Sequence, residues 1–448
     1  MSGMRLRSPW LPRLAESETS ASDRLVTAMA EDILDGRLDS GDRLPAHREL
    51  ADKLKIGLGT VTKAYGILER RGLIRSVKGA GTFVALVQTR RGPVIDVSRN
   101  TPPSVMTERL LARTLTSVAK RVDAGLFNDY PPVGGHAEHR RLLARWFLRL
   151  GMDADPERLL LTSGAHHAVS VAMSVACGYG GTLFTEAQTY PGAIALARHQ
   201  GIRLIGVEMD KEGVIPQALD RALSTESTAK AALYVTPTMQ NPTTASMSRQ
   251  RREEVVSICR AHDIAIIEDD VYTLEGDDQV PPLAMLAPER TFYANSMSKT
   301  LNPTLRIGAL VTPDSMFSQS EMALQATAVM VSPLSCAVME QWLLDGTAES
   351  VSRSIQGESI RRLEMARSIF GSVMHEPADQ GYHIWLPMPL SQAYDLERSA
   401  NDLGVLITPP SSTAVNPQGA LGGARICLGA PTMADLRTAL TIIQSLAR

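Results

Sequence analysis

Cysteine is scarce in this chain: Cys177, Cys259, Cys336 and Cys427 are the four thiols among 448 residues. Their spacing matches neither a disulfide framework nor a metal cluster, so they are expected to be reduced core residues of a cytosolic protein without a bound metal. Long apolar runs are missing as well. The stretch Ala168 to Cys177 is far shorter than the roughly 20 residues a membrane span needs. The first residues lack the basic, apolar and small-residue order of a secretory signal. Neither sign of charge dominates, and a net charge of -2 gives no global pull toward nucleic acid or membrane. Repeats and low-complexity tracts are absent, which excludes solenoids and disordered arrays. What is present is a globular composition, 44% hydrophobic and 21% charged, in a chain too long for one ordinary core.

The even total hides a local surplus. From Arg43 to Leu86, nine basic residues (Arg43, Arg48, Lys53, Lys55, Lys63, Arg70, Arg71, Arg75, Lys78) face three acidic ones (Glu49, Asp52, Glu69). A basic module on a near-neutral chain is the electrostatic footprint of a nucleic-acid binder. Apolar spacing from Asp23 to Leu34 predicts a helix capped by Ser22 and stopped by Gly36. Pro45 opens a second through about Lys55, and Leu58 to Arg71 forms a third with Val61, Ala64, Tyr65 and Leu68 inward. Leu73 to Val84 then alternates around a glycine-rich tip, the pattern of a hairpin. Three helices and a basic hairpin predict a winged helix-turn-helix over residues 18–86, with its third helix in the major groove of double-stranded DNA.

Residues 87–93 read as a short polar linker ending in Gly92-Pro93. From Val94 to Arg448, helical stretches alternate with apolar runs such as Leu159-Leu160-Leu161-Thr162, Gly181 to Phe184, Ala231 to Val235 and Ile264 to Ile267. That rhythm predicts an α/β domain, a mostly parallel sheet with flanking helices and ligand groups gathered where strands end.

The polar residues after those runs carry the chemistry. Ala165 and His166 open a helix whose free amides offer an anion seat. Asn241 supplies an amide donor, and Asp269 with Tyr272 three residues on suits an acid and a phenol clamping a pyridine ring. In Ser296-Met297-Ser298-Lys299, two hydroxyls precede a lysine, and Arg306 follows seven residues later. A lysine forms an imine only when deprotonated, which calls for a dry, positively biased pocket. Two hydroxyls and a guanidinium are the groups a phosphate beside that lysine would want. The set reads as a cradle for pyridoxal phosphate.

Through Leu44-Pro45-Ala46-His47-Arg48-Glu49-Leu50-Ala51, Thr60-Val61-Thr62-Lys63-Ala64-Tyr65 and Gly79-Ala80-Gly81-Thr82-Phe83, the first module resembles the GntR family of bacterial regulators. The resemblance implies that Arg48, Thr60, Thr62 and Lys63, with Lys78 and Gly79 of the wing, contact DNA. Leu58 stands where many relatives carry arginine. In order and spacing, Asn241, Asp269, Tyr272, Ser296, Lys299 and Arg306 resemble the fold type I pyridoxal phosphate enzymes of the aspartate aminotransferase superfamily. That resemblance makes Lys299 the cofactor lysine, Tyr190 the aromatic on the ring and Tyr130 the tyrosine reaching the neighbouring subunit's phosphate. It makes Arg425 the fork for an effector's carboxylate. Thr244 stands where many relatives carry glycine, and His166 and His167 where many carry glutamine. The two parts together resemble the MocR subfamily of transcriptional regulators, which implies a head-to-tail homodimer sensing an amino compound as an external aldimine. The alternatives are an active aminotransferase with an accessory DNA-binding module, or a sensor of pyridoxal phosphate itself.

Overall fold

The computed structural model describes residues 10–14, 20–34, 37–38, 42–70, 73–77, 81–84, 94–122, 125–226, 230–273, 280–375, 381–417 and 421–447. The chain forms two compact units, 1–93 and 94–448. The expected linker, Gly36, and Lys78 and Gly79 of the wing tip lie outside the described residues.

The first unit contains helices α1 (Ala21–Leu34), α2 (His47–Leu54) and α3 (Leu58–Arg70), followed by strands β1 (Ile74–Val77) and β2 (Gly81–Val84). The strands pair antiparallel with Ile74 opposite Val84. Leu25 and Met29 from α1, Leu50 from α2, and Val61, Ala64 and Leu68 from α3 are fully buried against one another. Their spacing of three and four is what turns one stripe of each helix inward. The first helix begins two residues earlier than its apolar pattern predicts. Ser20 rather than Ser22 caps it, accepting from the Asp23 amide at 3.3 Å, while Ser22 is packed inside. Between α2 and α3, Lys55 takes a left-handed conformation with φ 53°, and the Tyr65 hydroxyl donates to Pro45 O at 2.9 Å. Those two features set the turn between the helices.

The second unit is built on a seven-stranded sheet: β3 (Leu159–Thr162), β4 (Thr182–Glu186), β5 (Arg203–Val207), β6 (Ala231–Val235), β7 (Ala265–Asp269), β8 (Thr291–Ser296) and β9 (Gly308–Val311). Their order is β3-β9-β8-β7-β6-β4-β5. Neighbours from β8 through β5 are parallel, and β9 runs against both β8 and β3. Every residue of β6, β7 and β8 is buried, which is why β6 and the first residues of β7 read as apolar runs. Helices α4 (Ala165–Ala176) and α5 (Pro191–His199) follow β3 and β4. A smaller C-terminal layer holds the antiparallel pair β10 (His383–Pro389) and β11 (Leu421–Cys427), with the helix Thr347–Phe370 among those packed on it. The four cysteines are free and buried. No helix among the described residues is long and apolar enough to cross a membrane.

Candidate functional site

The parallel strands end on one side of the sheet, and the residues that follow them line a cavity of about 390 Å³. After β3, Gly164 turns the chain at φ +87°, and Ala165 and His166 begin α4, whose first amides have no partner within the helix. After β4 comes Tyr190, just before α5. Asn241 follows β6, Tyr272 follows β7, and Lys299 follows β8, while Asp269 and Ser296 are the last residues of β7 and β8. All of these except Gly164 line the cavity, together with Ser298, Arg306 and Arg425.

Hydrogen bonds give each group a direction. Arg306, itself left-handed at φ +54°, donates to Ser298 Oγ at 3.3 Å and Ser163 O at 3.0 Å. The Ser298 amide donates to Ser296 Oγ at 3.3 Å. Arg425 is 7% exposed and donates to Asn241 Oδ1 at 2.6 Å, Thr408 Oγ1 at 3.1 Å and Ser98 O at 3.1 Å, all neutral acceptors. Asp269 accepts the Tyr234 hydroxyl on Oδ2 at 2.8 Å, and its buried Oδ1 has no hydrogen-bond partner. The Lys299 amine donates to Asn100 O and lies 5.8 Å from the centre of the Tyr272 ring.

Burial sets the charge states. Loss of water pulls the Lys299 amine down to about 8, with Arg425 and Arg306 pushing the same way against Cys427 and Asp269. Close to one molecule in ten then carries a neutral amine at pH 7, on the order of a hundred times more than for an exposed lysine. The same desolvation raises the Asp269 carboxyl to about 6, opposed by the Tyr234 hydrogen bond. Burial, seconded by Arg306, lowers the His166 imidazole.

The bacterial regulatory proteins, gntR family, match residues 21–84, and the aminotransferase class I and II family matches residues 93–443. The chain belongs to the aminotransferase class I and II family and carries a gntR-family domain at its N-terminus. It is thereby a transcriptional regulator with an aminotransferase-like domain, the layout of the MocR subfamily. It is similar to the uncharacterized HTH-type transcriptional regulator YdeF of Bacillus subtilis (strain 168), 26% identical over 98% of this chain and 96% of that one. It is also similar to the HTH-type pyridoxine biosynthesis transcriptional regulator PdxR of Corynebacterium glutamicum, 27% identical over 66% of each chain. Among solved structures, an archaeal alanine:glyoxylate aminotransferase superposes with a TM-score of 0.71 at 21% identity, over 80% of this chain and 92% of that one. The gntR domain implies DNA binding, and the aminotransferase fold implies pyridoxal phosphate.

The cavity of this MocR-type chain fits that cofactor on its own geometry. Asp269 Oδ1 is a buried acceptor left open beside a lowered lysine amine. At Gly164 a Cβ would meet Arg306 Nη2 at 2.4 Å, so the missing side chain keeps space around the guanidinium at the start of α4. Tyr130 stands apart from the other expected cofactor residues: it is 74% exposed and does not line this cavity. Three residues that sequence reasoning missed support the site: Asn100 lines the cavity, and Tyr234 and His383 are buried behind its lining. Tyr234 is a mid-strand residue of β6, Asn100 lies 199 residues from the lysine it contacts, and His383 opens β10. None carries a local motif.

In the gntR domain, Arg48 and Lys63 are exposed on α2 and α3, and Thr60 is half-buried. Thr62 donates to Leu58 O at 3.0 Å and lies 3.4 Å from His47 Nδ1. Leu58 is 43% exposed at the start of α3.

Proposed function

We propose that this regulator holds pyridoxal phosphate on Lys299 and responds to an amino compound bearing an acidic group that enters the same cavity. The observation that carries the reading is an amine lowered to about 8 in one cavity with a buried guanidinium, Arg425, whose hydrogen bonds go to neutral acceptors. When bound, the cofactor supplies an aldehyde that condenses with amines and a ring that withdraws electrons.

The chain's own residues divide the remaining work. Ser296, Ser298 and Arg306, with the α4 amides at Ala165 and His166, would hold the phosphate. Asp269 Oδ1 would accept the ring N–H, Tyr190 would cover the ring, and Asn241 and Tyr272 would donate to its oxygen. Arg425 would take the effector's carboxylate by its planar fork. Tyr130, exposed and away from its own cavity, would serve the cofactor of a second copy in a homodimer. Arg48, Thr60, Thr62 and Lys63, with Lys78 and Gly79 of the wing, would engage promoter DNA. The effector regulates only if it binds one arrangement of the DNA-binding heads more tightly than another.

The name of PdxR favours a second reading, in which pyridoxal phosphate supply is itself the signal. One experiment separates these readings and also detects an active aminotransferase. The full chain is incubated with pyridoxal phosphate and a panel of amino acids while absorbance, keto-acid release and promoter binding are followed. A spectral change that alters promoter binding without sustained keto acid supports the effector reading. Promoter binding that follows the cofactor alone supports the second, and sustained multiple-turnover keto-acid release marks an enzyme. A Lys299→Ala protein with an unchanged cofactor spectrum removes the site altogether.

A further inference from the structure

We propose that Asn100 and His383 form a relay that fixes the direction of the Tyr272 hydroxyl, which makes both of them positioning residues of the cofactor cavity. The proposal rests on the pyridoxal phosphate reading of that cavity. His383 is fully buried at the start of β10, with its ring 5.4 Å from the Tyr272 ring. Its Nε2 lies 3.3 Å from Gln240 O, and its Nδ1 lies 3.2 Å from Asn100 Nδ2.

The direction follows from what each atom is able to do. A backbone carbonyl only accepts, and Gln240 O already takes the Thr244 amide at 2.7 Å, so its second lone pair calls for a proton on Nε2. Burial, then the Arg425 charge, hold the His383 imidazole down at about 3, so the ring is neutral and Nδ1 is a bare lone pair. A lone pair there requires Asn100 to present its NH₂. That NH₂ also lies 2.8 Å from the Tyr272 oxygen, which therefore accepts and keeps its own proton free for the cavity. Turning the Asn100 amide over would require the Nδ1–H form of His383 and set its Nε2 lone pair against the Gln240 carbonyl. The arrangement leaves Asn100 Oδ1 buried without a partner, a cost borne for orientation. Arg425 imposes the same polarity on Asn241, because a guanidinium only donates and Asn241 Oδ1 faces it at 2.6 Å. Two donors, the Tyr272 hydroxyl and the Asn241 amide, are thus left for the cavity both residues line, a match for an anionic ring oxygen.

The test uses full-length protein and two readouts. In apoprotein labelled with ¹⁵N-histidine, the His383 resonances, assigned with His383→Gln, should report the neutral Nε2–H form from pH 6 to 8. The Nδ1–H form would overturn the relay. In the cofactor-loaded protein, a donor lost from the ring oxygen lets the proton beside it be held more tightly. Asn100→Ala should therefore raise the pH midpoint of the cofactor's absorption change by about 0.5–1 unit. Asn100→Asp keeps the size but turns the Tyr272 proton toward itself, and should raise the midpoint further. In a Tyr272→Phe background Asn100→Ala should not move it again; an equal shift there would show that Asn100 acts otherwise. A protein that acquires no cofactor spectrum fails the cofactor reading instead, and the histidine measurement still decides the relay.

Discussion

Tyr234 donates its hydroxyl proton to one oxygen of the Asp269 carboxylate at 2.8 Å and leaves the other oxygen buried without a partner. Half of the acid is thus held by β6 and half is left open. Such an arrangement costs stability, because a desolvated carboxylate resists ionisation.

That cost has a pH signature. Burial raises the Asp269 carboxyl to about 6 from an ordinary 3.8, so the folded chain keeps this proton to higher pH than the unfolded chain does. The stabilising difference is present below about pH 4 and is lost as pH rises through about 6, amounting to about 3 kcal/mol by pH 8. Apoprotein carrying Asp269→Asn should therefore melt higher than wild type at pH 8 and converge with it near pH 4. Glu186 and Glu268, both raised to about 7 by burial, titrate in both proteins and cancel from the comparison. The same variant should bind pyridoxal phosphate more weakly, since an amide lacks the charge that favours a protonated ring. Scanning calorimetry against pH, with and without cofactor, reads both effects.

Much of this site is legible in the chain because its residues stand where strands end. Asp269, Tyr272, Ser296 and Lys299 follow short apolar runs, and a polar residue there has little else to do in a doubly wound sheet. Tyr234 is not legible for the opposite reason. It sits inside Ala231 to Val235, where an aromatic reads as core, and its hydroxyl is significant only because β6 and β7 lie side by side. Asn100 and His383 are 283 residues apart, and no periodicity links them. The cap of α1 shows the local limit: Ser20 and Ser22 both suit the role, and burial of Ser22 decides between them.

Gly164 gives a prediction about space and backbone together. Its φ of +87° disfavours any side chain, and a Cβ would approach Arg306 Nη2 to 2.4 Å. Gly164→Ala should destabilise the protein by about 1–3 kcal/mol through the backbone. The flexible guanidinium can swing away, but doing so removes it from Ser298 and from the start of α4. The loss of a charged phosphate contact should weaken cofactor affinity by at least tenfold, on a scale of about 1.5–3 kcal/mol. Fluorescence titration with pyridoxal phosphate, at a temperature where both proteins remain folded, checks this.

Arg425 is tested by comparing an amino acid with its decarboxylated amine. In Arg425→Gln the amine of either ligand would still reach the cofactor held on Lys299, while the carboxylate loses its guanidinium. Affinity for the amino acid should fall roughly 30- to 100-fold, following the value of a charge-assisted bidentate pair. Affinity for the amine should change far less. An equal loss for both would assign Arg425 to holding Asn241 and Thr408 in place, with no part in anion recognition.

The exposed cations of the gntR domain separate grip from readout. Arg48 on α2 and Lys63 on α3 are free of the apolar core, so replacing either with alanine should leave the melting temperature nearly unchanged. Each lost phosphate contact lowers the slope of log affinity against log salt by about 0.9, and the double variant should lose close to two such units. Promoter and unrelated DNA should weaken together, because phosphates carry no sequence. Thr62 behaves differently in this picture. Its hydroxyl turns back to Leu58 O and lies near His47, so Thr62→Val should preserve the salt slope and change the discrimination between promoter and unrelated DNA. If Arg48→Ala and Lys63→Ala leave the slope untouched, α2 and α3 do not form the DNA-gripping face, and the basic surplus of the module is a solvated surface.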